Sequence, residues 1–120
     1  MRVLKIDHVQ LAMPPGEEQR AREFYEKILG LSVQEKPENL TTRGGVWFTN
    51  GSLKVHLGVE TDFRPSRKAH PAFRVEGLAQ LRNKCEDAGY PTVDDEPLAG
   101  FQRFYVSDPF GNRIEFLERA

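Results

Sequence analysis

Three histidines and one glutamate are the residues in this chain best suited to chemistry. His8 lies in the stretch Ile6 to Met13, His56 in Leu53 to Val59, His70 in Ala69 to Glu76 and Glu115 in Arg113 to Glu118. Each stretch reads as a strand, and strand side chains alternate between two faces. His8 opposes Val9 and Leu11, His56 opposes Val55 and Leu57, His70 opposes Phe73 and Val75, and Glu115 opposes Ile114 and Phe116. The apolar sides need cover, and the polar sides are then free to line a shared concavity. Three imidazoles and a carboxylate suit a borderline divalent ion such as Zn, Fe, Ni, Co or Mn. Taken one by one, the same residues have plainer readings. A lone strand histidine is commonly a surface or satisfied core residue, and Glu115 could simply pair with Arg103 or Arg113.

The elements that would position these groups follow from periodicity. Pro14-Pro15-Gly16 ends the first strand, and Glu17-Glu18 supplies an acidic first helical turn, which suits the helix dipole. Ala21, Phe24, Tyr25 and Ile28 fall on one helical face, with Gly30 as the stop. A short strand is expected over Leu31 to Glu35, a polar loop over Pro37 to Thr42, and a strand over Gly44 to Thr49. Asn50-Gly51 then signals a hairpin back into Leu53 to Val59. The order returns after the polar stretch Glu60 to Lys68. A strand Ala69 to Glu76 leads to a helix with Leu78, Leu81, Cys85 and Ala88 on one face and Gly89 as the stop. A short strand near Pro91 to Val93, a loop Asp94 to Gly100, and the strands Phe101 to Ser107 and Arg113 to Glu118 complete it. The last two are joined by the turn Asp108-Pro109-Phe110-Gly111-Asn112. His8 and His70 are 62 positions apart, His56 and Glu115 are 59 apart, and Gly30 and Gly89 are also 59 apart. The chain therefore reads as one domain, 1–120, built from two copies of one module, with halves of about 1–60 and 69–120.

Composition narrows the function classes. A net charge of −1 over 120 residues provides no global field towards nucleic acid or a membrane surface. No apolar run approaches the about 20 residues needed to span a bilayer. The start Met1 to Lys5 runs straight into a strand, so a cytoplasmic protein is expected. The one cysteine, Cys85, allows no internal disulfide and reads as packing. Arginine outnumbers lysine, and Arg43, Arg64, Arg67 and Arg103 could grip an anionic substrate. Trp47 and Phe101 could line a pocket, and Tyr105 could donate to an oxyanion, although an aromatic on a strand is more often core.

The paired modules, the opening Asp7-His8-Val9-Gln10-Leu11, the helix end Phe24-Tyr25-Glu26-Lys27-Ile28-Leu29-Gly30-Leu31 and the closing Asp108-Pro109-Phe110-Gly111-Asn112-Arg113-Ile114-Glu115-Phe116 resemble the vicinal oxygen chelate superfamily. That group includes glyoxalase I, bleomycin-resistance proteins, fosfomycin-resistance thiol transferases and ring-cleaving dioxygenases. The resemblance covers nearly the whole chain. It implies an α+β fold of two βαβββ modules forming a curved, partly open barrel with helices on the outer face. It places metal ligands at His8, His56, His70 and Glu115, with Glu115 the only carboxylate base. It also implies a divalent metal that chelates two neighbouring oxygens of a small-molecule substrate, in a homodimer. The expectation is a metal-dependent enzyme of the glyoxalase or dioxygenase type. The alternatives are a metal-free drug- or metabolite-binding protein and a module whose polar face is purely structural.

Overall fold

The computed structural model describes residues 1–120 as two compact units, Met1–Phe63 and Arg64–Ala120. The fold class is α+β.

The first unit is a four-stranded sheet in the order β1-β4-β3-β2, from β1 (Val9–Met13), β2 (Ser32–Gln34), β3 (Val46–Thr49) and β4 (Lys54–Val59), with helix α1 (Glu18–Tyr25). A 3-10 turn, Glu38–Arg43, occupies the expected polar loop. The apolar periodicity of α1 is realised: Ala21, Phe24 and Tyr25 are fully buried and Ile28 nearly so. Phe48 presents its ring to Tyr25 at 5.2 Å between centroids, so the Phe48–Val55 face of the sheet is the one the helix covers. Asn50 closes the hairpin by accepting hydrogen bonds from Ser52 N (3.2 Å) and Leu53 N (2.8 Å).

The second unit is a three-stranded sheet in the order β5-β7-β6, from β5 (Ala72–Arg74), β6 (Phe101–Ser107) and β7 (Arg113–Arg119), with helix α2 (Leu78–Asp87). Phe73, Phe104 and Phe116 form its aromatic core, with Leu78 and Cys85 buried from the helix side. The start of α2 is capped from a distance. Glu118 on β7 accepts from Gly77 N (2.7 Å) and Leu78 N (3.2 Å), satisfying two backbone donors that a helix start leaves open.

Several elements differ from the sequence expectation. Ile6 to His8 is not strand. β1 begins at Val9, opposite Val55, because β4, parallel to it, itself begins only one residue earlier, at Lys54, where the chain leaves the hairpin. His70 likewise precedes its strand, which runs only over Ala72–Arg74; Pro71 has no N–H to give a ladder. The expected strand near Pro91 to Val93 shrinks to one bridge, Val93 with Tyr105. Ala88 is exposed at the helix end, not buried with Cys85.

Beneath these differences the two units share one register. In the first, Gln10, His56, Trp47 and Gln34 are paired in a row across the four strands. In the second, Ala72, Glu115, Tyr105 and Val93 make the equivalent row, the last step being the isolated bridge. Paired residues share a face, so each row lies on the side away from the helix. His8 stands two residues before Gln10, and His70 two residues before Ala72.

Candidate functional site

The four residues singled out by type and spacing come together as two pairs, one per unit. In the first unit the side chains are held by ring stacking. Trp47 lies flat against His56, centroids 3.9 Å apart and planes 3° off parallel, and His8 lies against the His56 ring at 4.2 Å and 17°. His56 is buried, and desolvation, followed by the neighbouring His8 charge, holds its pKa below the ordinary imidazole range. His8 is half-exposed, with Nδ1 3.0 Å from Asp7 Oδ1. That hydrogen bond, with a smaller contribution from Lys54, holds the Asp7 carboxyl below its usual range.

In the second unit the side chains are held by hydrogen bonds and charge. Glu115 is buried, and its Oε1 is 3.1 Å from His70 Nε2. Its Oε2 accepts a long contact, 3.5 Å, from Arg103 Nη1. Arg103 also donates to Tyr105 Oη (3.0 Å) and to the Glu96 carbonyl (2.7 Å). The Tyr105 hydroxyl donates to Asp95 Oδ2 (3.1 Å). Burial, and then the Asp95 hydrogen bond, raise the Tyr105 pKa, so the phenol stays protonated. Asp95 is held low, first by the Glu96 N–H and then by Tyr105. Arg113 does not pair with Glu115; its guanidinium sits 4.0 Å over the Tyr105 ring.

The protonation logic of His70 is informative. Nδ1 lies 2.9 Å from the Lys68 carbonyl and Nε2 faces a carboxylate. Both partners only accept, and a neutral imidazole has one N–H to offer. With Nδ1 donating to Lys68 O, Nε2 and Glu115 Oε1 present adjacent lone pairs, 3.1 Å apart. His8 has the same arrangement at Nδ1, through Asp7. An imidazole whose Nδ1–H is taken by an oxygen presents Nε2 as a ligand, the usual support for a metal-binding histidine. His56 has no such oxygen partner. Within the second unit, the donor chemistry of His70 and Glu115 suits a divalent ion. No group of three or more His, Cys, Asp or Glu side chains is gathered as a ready metal site.

The residues expected to contact substrate divide among different cavities. Trp47 and Arg43 line one of about 260 Å³, with Gln10, Lys36 and Gly58. Arg103 lines another of about 330 Å³ beside Asp94, Asp95 and Glu96. Tyr105 opens onto a third of about 340 Å³ with Val93 and Arg113. Arg64 and Arg67 meet Arg113 around a fourth. Sequence reasoning did not nominate Gln10, Gln34 or Asp95. Gln10 carried a signal, since it alternates onto the same face as His8. Gln34 and Asp95 did not, because their roles depend on cross-strand register and on a loop contact. Gln34 Oε1 and Arg103 Nε are buried without a hydrogen-bond partner.

Comparison with known proteins places this architecture. The family model of the Glyoxalase/Bleomycin resistance protein/Dioxygenase superfamily matches residues 5–116. The chain is similar to a crystal structure of a glyoxalase family protein from Bacillus anthracis, at 46% identity and a TM-score of 0.94, over 100% of both chains. It is 25% identical to "Glyoxylase I 4" of Arabidopsis thaliana, covering 96% of this chain and 71% of that protein. It shares its fold, at 11% identity and a TM-score of 0.78, with the fosfomycin resistance protein FosX of Listeria monocytogenes, over 99% and 96% of the two chains.

Proposed function

From the premise that this chain belongs to the Glyoxalase/Bleomycin resistance protein/Dioxygenase superfamily, we propose that it is a metal-dependent enzyme of the glyoxalase or dioxygenase type, acting on a small oxygen-bearing molecule. The observation that carries the reading is the pair of acceptors around His70. Lys68 O lies 2.9 Å from Nδ1, and Glu115 Oε1 stands 3.1 Å from Nε2, so an imidazole nitrogen and a carboxylate oxygen converge on one point. The proposed ligands are His8, His70 and Glu115. His56, which the sequence pattern placed in the same set, is assigned to holding the His8 ring by stacking. A bound Zn, Fe, Ni, Co or Mn ion would act as a Lewis acid towards two neighbouring substrate oxygens.

The chain's own groups have separate tasks. Glu115 is the carboxylate able to take a substrate proton, and Arg103 holds it in place through Oε2. Tyr105 stays protonated and can donate a hydrogen bond. Trp47 offers a flat apolar wall, and the cavity it lines carries Arg43 and Lys36 for an anionic substituent.

We further propose a homodimer. Val3, Leu4 and Ile6 are 91%, 78% and 78% exposed ahead of β1, and β1 is an edge strand. A second copy covering that segment would remove apolar surface and an open edge together.

Elemental analysis of the purified protein tests the metal reading. A divalent ion near one per chain is expected, with retention lost in His70→Ala and Glu115→Gln. A folded protein that takes up no divalent ion would overturn it. One observation favours a metal-free drug- or metabolite-binding protein instead: Arg103 already meets the Glu115 charge. Tight ligand binding in the presence of chelator, without turnover, is the result that reading requires.

A further inference from the structure

We propose that Arg64, Arg67 and Arg113 form a binding site for a phosphoryl group, separate from the residues assigned to the metal. The three arginines line one cavity of about 530 Å³, together with Ser66 and Ser107, and no acidic residue lines it. The whole chain carries a formal charge of −1, so three cations without a carboxylate among them are a local departure from its balance. Arg64 and Arg67 make no ion pair, although they are exposed and the chain holds 18 acidic residues. Arg113 is held over the Tyr105 ring at 4.0 Å, a contact that orients the guanidinium without neutralising it.

The loop that carries two of these arginines is seated on a rigid platform. Asp108 Oδ1 accepts from Phe110 N and Asn112 N, both at 2.9 Å, and Asn112 Nδ2 donates to Asp108 Oδ2 at 2.9 Å. Gly111 at the tip has φ of +90°, and a Cβ there would come within 3.0 Å of Pro65 Cγ. The glycine thus lets the turn close and lets Pro65 pack directly on it, between Arg64 and Arg67. Side chains that would otherwise spread into solvent are anchored by their backbone next to Arg113. Gathering like charges is unfavourable unless an anion offsets it. Guanidinium forks match the oxygens of a phosphoryl group, and the two serine hydroxyls can add neutral donors. The cavity is many times the ~30 Å³ share of one water molecule, so a phosphomonoester has room for its organic part as well as its phosphate.

Calorimetric titration with inorganic phosphate and with glycerol phosphate, at matched ionic strength and with acetate as control, tests the site. Saturable binding of at least one phosphate compound is expected, weakened by about tenfold or more in the double variant R64A/R67A. Both substitutions are on exposed side chains, and circular dichroism would confirm that the variant is folded. R113Q, which keeps a polar side chain, is expected to weaken binding less than the double variant. Tighter binding of glycerol phosphate would identify an organic phosphate as the ligand, and tighter binding of inorganic phosphate the free ion; either outcome supports the site. Equal binding in the wild type and R64A/R67A, equal response to acetate, or no saturable binding of either compound would overturn it.

Discussion

The two units repeat one register yet secure their histidines by opposite means. In Met1–Phe63 the row Gln10–His56–Trp47–Gln34 is aromatic at its centre, and His8 is held by a stack of rings. In Arg64–Ala120 the row Ala72–Glu115–Tyr105–Val93 is charged at the same point, and His70 is held by a carboxylate, itself braced by Arg103. Backbone pairing is alike in the two units while side-chain support differs. The first unit can orient an imidazole with little charge. The second concentrates negative charge at one buried carboxylate and must compensate it.

The contrast predicts unequal responses to substitution. Arg103→Met should have the largest effect. It leaves the buried Glu115 with His70 alone and removes a donor to Tyr105, so chemical denaturation should show a loss of about 2–4 kcal/mol. A loss below about 0.5 kcal/mol would mean that the second unit does not depend on that ion pair. Trp47→Leu removes the ring beneath His56 and should cost the first unit about 0.5–1.5 kcal/mol beyond the lost area. The same variant should broaden the His8 imidazole resonances by NMR, whereas those of His70 should not change.

The pH response is smaller and has a definite sign. Burial holds the folded-state pKa of His56 below the ordinary imidazole value of about 6.5. As pH falls below about 6.5 the unfolded chain takes up a proton that folded His56 resists, so stability declines with falling pH. His56→Gln should flatten that part of the stability profile, and an unchanged slope in the variant would assign the effect to other groups. The smallest expected signal is chemical. Burial pushes the Cys85 thiol up to about 11, so a thiol reagent at neutral pH should label the native chain only as fast as it opens, and at once after denaturation. Prompt labelling of the native chain would show that α2 is not packed as described.

Much of this was legible in the residues, and the gaps have physical causes. Alternation in Val9 to Met13, the face Ala21–Phe24–Tyr25–Ile28 and the Asn50-Gly51 hairpin are local properties of sequence, and all three are present in the structure. Offsets near 59 read as a repeat in the sequence, and each unit carries a row of paired residues in the equivalent register. What could not be read locally is whatever another segment decides. His8 and His70 fall outside strands because the neighbouring strand has not yet begun or a proline intervenes. Glu118 caps a helix whose first residue, Leu78, lies 40 residues earlier in the chain, and no motif near that helix predicts it. The pairing of Glu115 was open between Arg103 and Arg113. Register settles it, since Arg113 turns onto Tyr105 instead.

The central proposal is that Nε2 of His70 and the Glu115 carboxylate, 3.1 Å apart, ligate one divalent ion. Titration of the metal-free protein with Co²⁺, followed by its visible absorption, tests that most directly. The account predicts a saturable ligand-field spectrum with a single ion per chain, weakened by roughly 10- to 100-fold or more in Glu115→Gln and in His70→Ala. Equal Co²⁺ affinity in the wild type and both folded variants, or no ligand-field band in any of them, would contradict it.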